Sequence, residues 1–486
     1  MHIPDRVYGM ENEFGVVIEN ERGAWEEIRM GIVQRLCNDV LCAGLIRSVP
    51  STRLWHVNGG CTYVDIGEHP EHATPECRLV REAVLYCKAG EIIAASVFCG
   101  RQEDNSRMIL FKNNLGCDEN GNVVGEYGSH ENYLYRILDL KQKSVIEQLI
   151  PFLITRQIID GAGWQRKDGK FLFSQRSVSM AVESGTNTTN NRSIVNLRNT
   201  VSDTGTVGRL HLIQGDANIL DVACFLKIGT TSLVLSLIEA GLAPHMSYGP
   251  CAVVMKEIAE EPDINVPQGI YIQERRMSPF EVQCVYLEAA RKAFAGAEFD
   301  SEDTEAEMKT VLNLWDKALN ALYSRDERWM IGRLDYPTKR FLADEAIKRR
   351  GITDRSKMMD MRKDMDIFYH NITDRRLQEA INRRWMDRRL ITDKQIEKAI
   401  FFPPPHTRAR LRGKFIGSVL NLPETASISI DWMYCGHINI PSAAGNYVMD
   451  DPLIYASSEF NTFLMEFLNR PPIAPKIIHQ LSSSEA

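Results

Sequence analysis

The sequence predicts an α+β chain built on an antiparallel or mixed sheet. Strand-like segments dominate the first half, and residues 278–400 read as largely helical and rich in paired basics. The Gly-x-Gly-x-x-Gly turn and the Walker-type glycine loop that open doubly wound nucleotide folds are both missing. A bound nucleotide would need a different architecture. At 486 residues, a large domain over 1–400 and a small one over 401–486 are expected, with the stiff Phe401-Phe402-Pro403-Pro404-Pro405 run between them.

In chain order, residues 5–20 read as a strand and 24–46 as a helix (Trp25, Ile28, Ile32, Leu36, Val40). Two short strands flank Gly59-Gly60 within 52–67. Helices follow at 78–98 and 142–160, separated by a strand at Met108–Asn113 and a Gly/Asn-rich hairpin loop. Residues 170–182, 192–198 and 207–214 read as strands, and Leu220–Ala240 as a long apolar helix. The tail Ser482–Ala486 reads as disordered.

A net charge of −7 argues against a general nucleic-acid binder. No apolar run is expected to reach membrane-spanning length, and no signal-peptide pattern opens the chain. Eleven cysteines without CxxC or zinc spacing read as reduced thiols, pointing to the cytoplasm.

The chemistry concentrates early. In Gly9-Met10-Glu11-Asn12-Glu13-Phe14-Gly15 the two acids sit at i and i+2 of a strand, so they project from one face. Adjacent carboxylates repel unless a divalent cation lies between them. Asp65 ends the Tyr63-Val64 strand, a suitable place for a general base or nucleophile. Lys112 and the His130-Glu131-Asn132 run bracket the hairpin loop, offering a cation and amides to phosphates. Arg176, Arg198 and Arg209-Leu210-His211 lie on or near three strands, where a buried arginine needs a partner or an anion. Asp216 and Asn218 precede the long apolar helix as cap residues whose neighbouring amides can hold an oxyanion. Arg408, Arg410 and Arg412 would share one face in a strand; in a helix only Arg408 and Arg412 would. Either arrangement suits a phosphate clamp.

These segments, with His69-Pro70-Glu71, Pro75-Glu76-Cys77, Ser174-Gln175-Arg176 and Leu226-Lys227-Ile228-Gly229-Thr230, resemble the ligase and the deamidase/depupylase of Pup, the prokaryotic ubiquitin-like protein. The order and spacing match over essentially the whole chain. The resemblance implies a glutamine synthetase-like concave antiparallel sheet backed by helices. It also implies ATP and Mg2+ as cofactors, and as partners a Pup-like modifier and lysine-bearing proteins in a proteasome-type degradation pathway. In that family the ligase phosphorylates the side-chain carboxylate of Pup's C-terminal Glu, and a lysine then forms the isopeptide bond. Carried over, Glu11 and Glu13 hold magnesium, with Tyr63 and Glu76 supporting the site. Asp65 is the catalytic aspartate, and His211 and Arg410 lie near the nucleotide.

The deamidase carries an extra loop before the catalytic aspartate. The short span from Glu13 to Asp65 is ligase-like, as are Thr407–Gly413 and Asp366–Ile372, whereas Ser129–Asn132 and Gly215–Asn218 lean to the deamidase. The ligase is therefore the expected activity, with a deamidase/depupylase or a carboxylate–amine ligase for another substrate as alternatives. Departures from the family pattern at Cys61, Asn199-Thr200 and Gly208 suggest a divergent branch with an altered carrier or acceptor.

Overall fold

Strict alternation in Tyr8–Glu13 sets the middle of the sheet: Tyr8, Met10 and Asn12 are buried, while Gly9, Glu11 and Glu13 are half-buried on the other face. The computed structural model describes residues 1–20, 25–27, 45–47, 53–65, 67–99, 107–117, 123–136, 142–188, 190–198, 207–420, 422, 428–437 and 446–469. Among them the largest sheet has nine strands. Its spatial order is Met180–Gly185, Arg192–Asn196, Val207–Leu212, Ser129–Arg136, Tyr8–Glu13, Pro70–Ala73, Cys61–Val64, Leu54–His56 and Leu45–Arg47. The pairings are antiparallel except between Met180–Gly185 and Arg192–Asn196, so the expected α+β class with a mixed sheet holds.

The buried face of the sheet, including Tyr8, Met10, Tyr133, Leu210 and Leu212, packs on the helices Val80–Phe98, Gln142–Asp160 and Asp221–Glu239. Burying each large apolar side chain contributes about 1.5–3 kcal/mol. Helix Val80–Phe98 starts well because Glu307 accepts from the Val80 and Arg81 N–H groups (2.6 and 2.8 Å), and Glu82 accepts from Arg78 and Leu79. Gly90 lets this helix approach the sheet, since a Cβ there would sit 2.3 Å from the His72 ring. Helix Asp221–Glu239 corrects one expectation. It is long and apolar enough to cross a membrane (mean hydropathy 1.6), but it is wholly buried inside the protein. Its apolarity on all sides is explained by helices and sheet surrounding it.

Other differences are local. Trp25–Glu27 and Leu45–Arg47 are strands at the two ends of the expected helix 24–46; residues 24 and 28–44 of that expectation lie outside the described residues, as does the tail 482–486. The expected strand 170–182 is a Phe171–Leu172 strand, a 3-10 turn at Arg176–Val178 and a strand from Met180. The C-terminal segment contributes Leu411, Phe415, Ile416, Met449, Phe460 and Phe467 to an apolar cluster that also takes in Trp55 and Cys61 of the sheet. Gly59, in the predicted turn, has φ +85°, and Ala409 of the C-terminal helix presses directly on it.

Candidate active site

Strand register assembles the site. Glu13 lies opposite Glu71, which in turn lies opposite Tyr63; Glu11 lies opposite His130, and Asn132 opposite His211. Opposed residues share a face, so Tyr63, Glu71, Glu13, Glu11, His130, Asn132 and His211 form a band across five neighbouring strands. Asp65 follows the Cys61–Val64 strand in a tight turn closed by its own carboxylate, whose Oδ1 accepts from the His69 N–H at 2.7 Å. The His69 ring then bridges Asp65 to the band, with Nδ1 3.6 Å from both Asp65 Oδ2 and Glu13 Oε2.

Charge is balanced closely here. Glu11 faces His130 Nδ1 at 3.5 Å, His211 Nε2 at 3.8 Å and Arg209 Nη2 at 3.2 Å, and accepts from Asn132 at 3.1 Å. Burial alone would raise the Glu11 carboxyl; the histidines and Arg209 outweigh it and hold it far below its ordinary range. Glu13 is likewise brought down to about 2 against burial by His69, His130, the Gly128 N–H and the field of Arg176. Burial opposes charge on His69, yet Asp65 and Glu13 push it up to about 9. His211, with burial dominant, falls to about 3.

Glu71 behaves oppositely. Burial and the charges of Glu11 and Glu13 push its carboxyl well above the carboxylate range, and the Tyr63 hydroxyl is held up by burial and Glu71. Three acids from adjacent strands on one face repel one another, and a cation bound between them would relieve that repulsion. Among the described residues two groups satisfy the mutual spacing of a metal site, Glu11/His130/His211 and Glu13/Asp65/His69, each with ligand atoms within 4.8 Å of one another. Three of these six donors are carboxylate oxygens and three are imidazole nitrogens; with Glu71 beside Glu13 on the same face, the carboxylates are the part of the set that suits a hard divalent cation. Sequence reasoning missed Glu71 as a site residue. Its signal was the hairpin 61–73, in which counting back from the turn places Glu71 beside Tyr63.

A family model for the Pup-ligase protein matches residues 6–436. The chain belongs to the Pup-ligase family. The Pup–protein ligase of Corynebacterium diphtheriae is 33% identical over 443 residues, covering 88% of each chain. That of Acidimicrobium ferrooxidans is 31% identical over 461 residues, covering 91% of this chain and 94% of the relative. Two solved structures share the fold. One is the complex between Pup and its ligase PafA (TM-score 0.81, 29% identity, 95% of this chain and 92% of that chain). The other is PafA with ADP (TM-score 0.72, 28% identity, 91% and 95%).

Several expected site residues of this Pup-ligase family member have other work. Glu76 is not offered to a metal: its carboxylate accepts from Arg408 Nε at 2.7 Å and from both Nη atoms of Arg412, and is brought down to about 2 despite burial. Arg408 caps the helix Ala409–Val419, so the helical reading of the arginine run holds. Arg408 and Arg412 grip Glu76 rather than phosphate, while Arg410 is exposed, 3.4 Å from the Pro405 carbonyl. Lys112 is 1% exposed, bonded to Glu91 (2.8 Å) and the Asn218 carbonyl (2.9 Å), which places it in the core rather than at a phosphate. Glu131 is buried against Arg156 and Tyr133 on the face opposite His130. Asp216 gathers Ala162 N, Ser174 Oγ, Gln175 N and Arg176 N at 2.7–3.0 Å, and Asn218 donates to Asp160 and Asp335. Both are framework residues. Arg198 is exposed beyond its strand, its charge reaching His211. Cys61, which departs from the family pattern, is fully buried in the cluster under the C-terminal segment.

Proposed function

We propose that this chain is an ATP-dependent Pup ligase. Three acids on one sheet face, with Asp65 bridged to them by His69, carry this reading. Magnesium would be held by Glu11, Glu13 and Glu71 with the Tyr63 hydroxyl beside them, and when bound it neutralises charge on the ATP phosphates. A carboxylate is a poor electrophile, so the γ-phosphoryl of ATP first passes to the side-chain carboxylate of the modifier's C-terminal Glu, and ADP leaves. A substrate lysine gives its proton to Asp65 and attacks the acyl carbon. The bond to phosphate breaks, the isopeptide forms and inorganic phosphate departs. His69, drawn to the cationic form, lies 3.6 Å from both Asp65 and Glu13 and so keeps the base beside the acid band. Asn132, Arg209 and His130 fix Glu11 in place.

Relatives named as ligases favour this direction over deamidation. The proposal extends to lysine-bearing acceptor proteins, to a proteasome-type pathway as their destination, and to the cytoplasm as the compartment, in keeping with the buried, unbridged thiols of Cys77, Cys87, Cys224, Cys251 and Cys435. It further takes 401–486 as a small domain whose described part packs on Trp55 and Cys61 of the sheet. Purified protein with ATP, magnesium, a Glu-ended Pup and a lysine-bearing protein is expected to yield a covalent adduct and ADP. Release of free modifier from a preformed conjugate, with no adduct formed from the separate parts, would overturn the ligase direction.

A further inference from the structure

Arginines are rarely buried without a carboxylate, because the cost of desolvating the guanidinium goes uncompensated. Here Arg6 meets Glu239 at 2.7 Å, Arg156 meets Glu131 at 2.7 Å, and Arg412 meets Glu76. Arg176 is the exception among the deeply buried arginines of the described residues. It is 1% exposed; Nε and Nη2 both donate to the Ile213 carbonyl (3.2 and 2.9 Å), and Nη1 has no partner.

The acids whose charge reaches Arg176 are Glu13 and Asp216. Neither closes an ion pair with it. Asp216 is committed: Oδ1 to Ser174 Oγ and the Arg176 N–H, Oδ2 to the Ala162 and Gln175 N–H groups. Glu13 belongs to the acid band, held by Gly128, His69 and His130. Asp216 therefore pins the backbone of the 3-10 turn, and the Ile213 carbonyl pins one edge of the guanidinium. The remaining edge, Nη1, is buried without a hydrogen-bond partner, and the charge of Glu13 in the acid band reaches it. A fixed, desolvated cation with one free donor atom is preorganised for a single anionic oxygen.

We infer that Arg176 is an anion-binding residue of the site, its Nη1 donating to a carboxylate or phosphoryl oxygen of a bound substrate. The inference rests on the ligase reading, which supplies substrates carrying both kinds of oxygen. It differs from a structural role, in which the fork onto Ile213 would be the whole purpose of the side chain.

The test compares wild type with Arg176→Gln and Arg176→Lys, reading kcat/KM for each substrate and the thermal upshift given by Mg·ADP alone and by a Glu-ended peptide alone. Loss of a charged hydrogen bond is expected to lower kcat/KM roughly 10- to 100-fold. If the oxygen is phosphoryl, the Mg·ADP upshift shrinks and the peptide upshift stays. If it is the carboxylate, the reverse holds. Folded variants with kcat/KM and both upshifts within about twofold of wild type overturn the inference, on the scale where tenfold is one charged bond. Arg176→Lys, which keeps the charge and a donor for Ile213, decides the matter should Arg176→Gln not fold. A wild-type chain that forms no adduct contradicts the ligase reading, and the two upshifts then decide the role of Arg176.

Discussion

Asp65→Asn is expected to abolish adduct formation while leaving the fold and the first half-reaction in place. Asparagine keeps an oxygen for the His69 N–H, so the turn 65–69 survives. What disappears is the basic oxygen that takes the lysine proton, a loss of roughly 10²- to 10⁴-fold in the aminolysis step. Phosphoryl transfer to the modifier does not use that base. A single-turnover assay should therefore still show ADP at about wild-type rate, with no isopeptide following. Adduct formation at the wild-type rate would exclude Asp65 as the base. Loss of ADP formation as well would move Asp65 into the metal and phosphate machinery.

The second large effect concerns stability. Glu76→Ala leaves Arg412, fully buried between Trp55 and Trp432, with no carboxylate. Breaking such a pair costs about 3–5 kcal/mol, because the surviving charge stays desolvated. The denaturant midpoint should fall accordingly, and since Arg412 also donates to the Gly59 and Trp432 carbonyls, the contact between the C-terminal helix and the sheet edge should loosen first. The same pair sets a pH dependence. Glu76 is lowered from 4.5 to about 2 in the folded protein, so its stabilisation is present above about pH 4.5 and is lost as pH falls toward 2. A shift of this size corresponds to roughly 3 kcal/mol. An acid-unfolding curve unchanged by Glu76→Gln would contradict the assignment.

The sequence showed clearly what depends on local period. The i, i+2 acids, the Tyr63-Val64-Asp65 strand end and the helices at 80–98, 142–160 and 221–239 all follow from spacing within one element. Counter-charges are another matter. Lys112, Glu131, Asp216 and Arg408 each look catalytic in isolation, because a sequence displays a charge and hides its partner. Their partners (Glu91, Arg156, the 174–176 turn, Glu76) come from elements that only the fold brings near. Glu71 was missed for the converse reason. Nothing in Pro70–Ala73 distinguishes it from a solvated acid until register sets it between Tyr63 and Glu13.

On the proposed reading Glu11, Glu13 and Glu71 form one cation-dependent site for ATP chemistry. Calorimetric titration of magnesium into the ADP-loaded protein tests it most directly, comparing wild type with Glu71→Gln. The neutral amide removes the carboxylate that would face the cation, a group that burial and the charges of Glu11 and Glu13 push well above the ordinary carboxylate range. Magnesium affinity is expected to fall by roughly tenfold or more, about 1.4 kcal/mol. Equal magnesium affinity in the two proteins would contradict the account.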